Sequence, residues 1–164
     1  MSAQLDISGA PVLDAPTSIP SAGRTILCVD DEPNILAAMR RLFRPTGHQV
    51  YLADSGAQAI AMLEQHPIHL IISDMRMPGM SGAELLQQVR SRWPAVTRLL
   101  LTGYADMGST IAAINEGQIH RYITKPWNDT EILATVKDAF DRMALEDDKA
   151  RLEALTLLQN EQLK

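Results

Sequence analysis

The chain has 164 residues, 46% of them hydrophobic and 21% charged, with a formal net charge of −5 at pH 7. That length suits one ordinary domain with a segment to spare, and the acidic balance argues against a direct nucleic-acid surface, which usually carries a basic face. The single cysteine, Cys28, excludes an internal disulfide, and no apolar run approaches the ~20 residues of a membrane helix.

Residues 1–23 carry Pro11, Pro16 and Pro20 among small residues, with no apolar period, and read as a disordered tail. They lack the basic start and continuous apolar stretch of a signal peptide, so a cytoplasmic location is expected. From Arg24 onward, strand and helix signals alternate. A first strand over 26–29 ends at Asp30 and Asp31. Pro33 suits a first helical turn, after which Ile35, Leu36, Met39, Leu42 and Phe43 recur on one face. A second strand covers 49–53. Ser55 with Gln58, and Ser81 with Glu84, have the capping-box spacing that opens helices two and three. Between them a third strand over 70–73 ends at Asp74, and Met77-Pro78-Gly79 makes a tight turn behind it. Trp93, before Pro94, is placed to plug the end of helix three.

The fourth strand, 99–101, ends at Thr102, and Gly103 leaves room there for an incoming group. Asp106 is positioned to cap helix four, with Ile111 and Ile114 inward and Gly117 ending it. The fifth strand, 119–124, ends at Lys125, and Asn128 or Asp129 caps helix five. No Gly or Pro follows Pro126, so this last helix can extend on the order of 54 Å at 1.5 Å per residue. Ile132, Leu133, Val136, Phe140 and Met143 give it a sheet-packing stripe. Glu146-Asp147-Asp148 interrupts the stripe, and Leu152, Leu155 and Leu158 resume it.

Five strands alternating with five helices predict an α/β three-layer sandwich with right-handed crossovers. Strands one, three and four are continuous apolar runs, as in a sheet covered on both faces. Strands two and five mix polar and apolar residues and belong at the edges. The flavodoxin-like order 2-1-3-4-5 fits. In such a sheet every strand ends on one rim, where ligands bind, so Asp30, Asp31, Asp74, Thr102 and Lys125 converge. Three carboxylates, a hydroxyl and an ammonium suit a hard divalent cation such as Mg²⁺ together with a phosphoryl group. Asp31 and Asp74 are candidates for direct metal binding, with Asp30 acting through water or by positioning. Asp74 is then the best-placed nucleophile, Lys125 neutralises a phosphoryl oxygen, and Thr102 donates to another.

Val29-Asp30-Asp31-Glu32-Pro33, the run Ser73 to Gly79, Leu101-Thr102-Gly103-Tyr104 and Thr124-Lys125-Pro126 resemble the receiver domain of bacterial two-component response regulators, over residues 24–145. The resemblance implies that Asp74 accepts a phosphoryl group from a sensor histidine kinase or phosphotransfer protein. It implies Mg²⁺ held by Asp30, Asp31, Asp74 and the backbone carbonyl of Arg76, and phosphate bound by Thr102 and Lys125. Tyr122 matches the aromatic switch residue that turns inward on activation, and the Lys125–Pro126 peptide is expected to be cis. Arg76 and Tyr104, two residues past the acceptor and past Thr102, would overhang the phosphoryl group and slow its hydrolysis.

Residues 100–106 and 121–127 further resemble the branch in which a receiver precedes an HD-GYP cyclic-di-GMP phosphodiesterase or an activator of hydrogenase transcription. Neither output is visible: there is no His-Asp dyad, no Gly-Tyr-Pro motif and no nucleotide-binding glycine loop. The expectation is a signalling domain rather than an enzyme, catalysing only its own phosphorylation and dephosphorylation. The chain is then either cut within a connecting helix or a stand-alone receiver. Residues 146–164 read as a helical connector, the start of a coiled coil that would support a homodimer.

A metal-dependent aspartyl-phosphate phosphatase is the alternative, but it usually presents Asp-x-Asp after its first strand and carries a cap domain. A flavin module would need a hydroxyl-rich phosphate loop where Asp30-Asp31-Glu32 stand. A dimerisation module alone leaves the rim unexplained. His66 and His69, flanking Pro67, read as structural, and His48 and His120 are expected to be structural bystanders, with no zinc spacing. Cys28 reads as an inert core residue, and Trp127 as a cap or a contact surface.

Overall fold

A computed structural model describes residues 23–116 and 118–163, with side chains throughout except for Tyr104 and residues 159–163. The expected tail and the helix-ending role of Gly117 lie outside the described residues. In chain order the elements are β1 (Thr25–Val29), α1 (Pro33–Phe43), β2 (Gln49–Ala53), α2 (Gly56–Gln65), β3 (Leu70–Asp74), α3 (Gly82–Arg92), β4 (Thr97–Thr102), α4 (Met107–Asn115), β5 (Arg121–Thr124) and α5 (Asp129–Leu163). Short 3₁₀ turns at Arg44–Thr46 and Tyr104–Asp106 follow α1 and precede α4. Residues 23–133 form one compact unit, and the chain from residue 134 belongs to a second.

All five strands are parallel, in the order β2-β1-β3-β4-β5. This is the flavodoxin-like arrangement, and it follows from the strand chemistry. β1 and β3 are buried at every position, whereas the mixed strands β2 and β5 lie at the edges. Leu27, Val29, Ile71 and Leu100 meet Ala59 and Leu63 of α2, Leu85, Leu86 and Val89 of α3, and Ala113 of α4 in one buried cluster. Alternation along a strand turns Ile26, Cys28, Ile72 and Leu99 to the opposite face. Leu36, Met39 and Phe43 are the buried positions of α1, while Ile35 and Leu42 are half-buried.

The caps partly follow the sequence expectation. Ser81 and Glu84 close a full reciprocal box at α3. Ser55 accepts the Gln58 amide, but the Gln58 side chain accepts from the Asp54 N–H, so the box at α2 closes one residue early. Of the two candidates at α5, Asn128 caps, accepting the Glu131 amide at 3.2 Å, while Asp129 accepts from the Trp127 indole. α4 corrects two expectations. Ile114 packs against the core as expected, but Ile111 is 50% exposed, and Thr110 and Ala113 are the buried residues of the helix. Asp106 stands at the N-cap without a side-chain capping bond. Its carboxylate goes instead to Arg76, because a charged guanidinium is a stronger partner than a backbone amide. Trp93 sits half-buried against the core at the end of α3, with the Arg92 guanidinium 4.3 Å over its ring. His120 also departs from expectation, since its Nδ1 accepts the Arg98 amide at 3.0 Å. His69 does the same for Thr25.

Candidate functional site

Strand ends fix the site. The Asp30 amide donates to the Ala53 carbonyl at 3.1 Å, which holds the chain leaving β1 against β2. The Asp30 carboxylate is fully buried and accepts the Glu32 amide at 2.9 Å, whereas Asp31 is exposed. Asp74 is the last residue of β3 and is nearly buried. Behind it the chain turns at Gly79, whose φ of +83° suits glycine. It then returns so closely that a Cβ on Gly82 would lie 2.1 Å from the Asp74 carbonyl oxygen. The Lys125 amide donates to the Thr102 carbonyl at 2.8 Å, which aims Lys125 along the rim, and the Lys125–Pro126 peptide is cis.

Lys125 Nζ lies 2.7 Å from one Asp74 oxygen and 3.4 Å from an Asp30 oxygen. Asp30, Asp31 and Asp74 each offer a carboxylate oxygen within 4.8 Å of the others. Burial pushes the Asp30 carboxyl up; the Glu32 amide counters this, and the Asp74 charge adds to it. For Lys125 burial alone acts downward, but contact with Asp74 and Asp30 wins and holds its ammonium above the usual lysine value. One ammonium against three carboxylates leaves an excess of negative charge lined by oxygen donors. That donor set fits a hard divalent cation. Beside it, a cleft of about 420 Å³ is lined by Asp31, Glu32, Asp74, Arg76, Gly103, Ala105, Asp106 and Lys125.

Residues 26–137 match the family model described as the response regulator receiver domain. The chain belongs to the receiver-domain family of response regulators. The receiver is 39% identical over 129 residues to the hydrogenase transcriptional regulatory protein HoxA of Cupriavidus necator, a match covering 79% of this chain and 27% of that protein. It thus spans about a quarter of that relative's length. Among solved structures it resembles the signal receiver domain of an HD domain-containing protein from Pseudomonas fluorescens Pf-5 (36% identity, TM-score 0.67, covering 78% of this chain and 98% of that one). It also resembles a response regulator receiver domain from Clostridium thermocellum (29% identity, TM-score 0.70, covering 74% and 98%). Receiver domains are signalling domains that bind Mg²⁺ at an acidic cluster and interact with histidine kinases or phosphotransfer proteins. The aspartyl-phosphate phosphatase alternative is not favoured.

Not every anticipated residue joins the carboxylate cluster of this receiver. Thr102 is fully buried at the end of β4, where its hydroxyl donates to the Gly103 carbonyl and accepts from Thr110. The Arg76 side chain reaches across the cleft to Asp106, its Nε 3.0 Å from both carboxylate oxygens. Tyr122 is 38% exposed on β5. A Cβ on Gly103 would meet open space, so its room belongs to the cleft and not to protein packing. The Tyr104 side chain lies outside the described residues. Asp106, Thr110 and Gly82 had no site role in the sequence reading. Only a long-range charge match between Arg76 and Asp106 could have hinted at one of them.

Proposed function

We propose that the chain is a phosphoacceptor switch in which Asp74 takes a phosphoryl group from the phosphohistidine of a sensor kinase or phosphotransfer protein. The observation that carries this reading is the Lys125 ammonium 2.7 Å from Asp74, beside two further carboxylates. An Asp74 carboxylate oxygen attacks phosphorus; an O–P bond forms as the donor's N–P bond breaks, and the electron pair returns to the imidazole. Lys125 then balances the charge on a phosphoryl oxygen, and the Thr102 hydroxyl donates to another. Asp30, Asp31, Asp74 and the Arg76 carbonyl would hold Mg²⁺, which when bound supplies positive charge to the phosphoryl oxygens. Tyr122 serves as the aromatic of the switch. Incubation with acetyl phosphate and Mg²⁺ tests the reading: intact mass should rise by one phosphoryl group in the wild-type chain and stay unchanged in Asp74→Asn. Equal phosphorylation of both chains would overturn it.

The receiver domain is proposed to span residues 24–145, with residues 146–164 as connector, in a cytoplasmic protein. No helix among the described residues is long and apolar enough to cross a membrane. Leu145, Leu152, Leu155, Leu157 and Leu158 are each at least half exposed on α5. A parallel copy of the same helix would bury that stripe, and a homodimer follows. The apolar pattern is short, so the dimer should be weak. Sedimentation should show concentration-dependent dimers of residues 1–164 that weaken when the chain is cut near Leu145. Monomers of both at high concentration would refute it. Identity to HoxA supports a transcriptional output, and the HD domain-containing neighbour supports an output of that kind as the alternative.

A further inference from the structure

We infer that Thr110 is a positioning residue that holds the Thr102 hydroxyl in its resting direction and hands the switch on to α4. The inference rests on Thr102 being the phosphate-binding hydroxyl proposed above. Both threonines are fully buried, and the Thr110 hydroxyl donates to the Thr102 oxygen at 3.0 Å. Thr102 in turn donates to the Gly103 carbonyl at 3.2 Å. A hydroxyl has one proton to give. Thr102 therefore cannot serve Gly103 and a phosphoryl oxygen at once, and the resting chain of bonds from Thr110 to Thr102 to Gly103 opposes phosphoryl capture.

When Thr102 swings toward a phosphoryl group, Thr110 loses the acceptor it faces. A buried hydroxyl left without a partner is costly, and a helical threonine has one ready substitute, the carbonyl four residues back. For Thr110 that is Asp106, at the start of α4. Back-bonding of this kind bends a helix, here at the turn whose Asp106 carboxylate is tied to Arg76 across the cleft. The other end of α4 is pinned: Arg90 donates to the Glu116 carbonyl at 2.8 Å, and Arg98 to the Gln118 carbonyl at 2.7 Å. The response is therefore expected in the first turn of α4. Packing alone does not call for the hydroxyl, because valine has the same branched shape.

Beryllofluoride with Mg²⁺, a phosphoryl mimic, tests this on the full chain, read by binding titration and by amide hydrogen exchange of α4. In the wild-type chain the mimic should change exchange in the first turn of α4. Thr110→Val removes a bond that opposes capture, so it should bind the mimic more tightly, by about fivefold for one hydrogen bond, and lose the α4 response. Thr110→Ser should restore both wild-type values, a rescue that a purely packing role would not give. Unchanged affinity with an intact α4 response in Thr110→Val overturns the inference and leaves Asp74 as acceptor untouched. No binding by the wild-type chain refutes the phosphoacceptor reading, and this inference with it. Should Thr110→Val fail to fold, the wild-type Thr110 methyl resonance decides: it shifts with the mimic if the bond breaks, and an unmoved resonance overturns the proposal.

Discussion

Among the described residues, Gly82→Ala should damage the receiver more than any other glycine replacement that leaves φ unstrained. An added Cβ would lie 2.1 Å from the Asp74 carbonyl oxygen, 2.9 Å from its carbon and 2.9 Å from a Leu100 methyl. Two of these atoms are backbone of the central strand, so α3 and β3 must part by about 0.9 Å to reach the 3.0 Å floor of real Cβ contacts. That movement stretches the 2.8 Å bond from the Gly82 amide to the Met75 carbonyl. Overpacking costs roughly 1–3 kcal/mol, and an unsatisfied buried carbonyl adds about 1–3 kcal/mol, so a loss of about 3 kcal/mol is expected. With a urea m-value of about 2 kcal/mol/M, the unfolding midpoint falls by about 1.5 M. Because the displaced carbonyl belongs to Asp74, the proposed acceptor, phosphorylation by acetyl phosphate should slow as well. Gly103→Ala, where the added carbon meets no protein atom, should leave the midpoint unchanged. A Gly82→Ala midpoint equal to wild type would refute the close approach of α3 to β3.

Mg²⁺ at ten times its dissociation constant should stabilise the folded chain by about 1.4 kcal/mol. Asp31→Ala should shrink that gain without unfolding the protein, and equal gains in both would place the metal elsewhere. Arg76→Ala, which opens the Arg76–Asp106 bridge over the cleft, should hasten loss of the phosphoryl group once acetyl phosphate is removed; unchanged or slower decay would count against shielding by that side chain. Cys28 is buried and its thiol is pushed up to about 12 by desolvation. Iodoacetamide should therefore modify it only as the chain unfolds in urea, and rapid labelling of the native protein would contradict its burial.

Strand order was legible because edge and centre differ in chemistry. Gln49 and Arg121 can stand only where a face meets water, while residues 26–29 and 70–73 have no polar side to expose. The rim residues followed, since strand ends in a parallel sheet share one edge. Helix phase was less legible. Residues 111–114 of α4 read Ile-Ala-Ala-Ile, apolar almost all round, so period could not choose a face. The bond between Thr110 and Thr102 fills the inner side, and Ile111 turns out. Asp106 read as a cap from its neighbours alone, but its partner Arg76 lies 30 residues away in sequence. Arg98 is the least expected core residue: it is nearly buried, and its guanidinium donates to the carbonyls of Gln118, Pro94 and Val96. No local pattern announces carbonyls gathered from two loops.

The acceptor itself can be read directly. Reduction with borohydride after acetyl phosphate treatment converts an aspartyl phosphate to homoserine, and trypsin separates the candidates. Cleavage after Arg24 and Arg40 puts Asp30 and Asp31 in residues 25–40. Asp74 falls in residues 42–76, because Arg44 precedes Pro45 and resists cleavage. Homoserine in place of Asp74, with residues 25–40 unmodified, is the expected result. Homoserine at Asp30 or Asp31 with Asp74 intact would contradict the account.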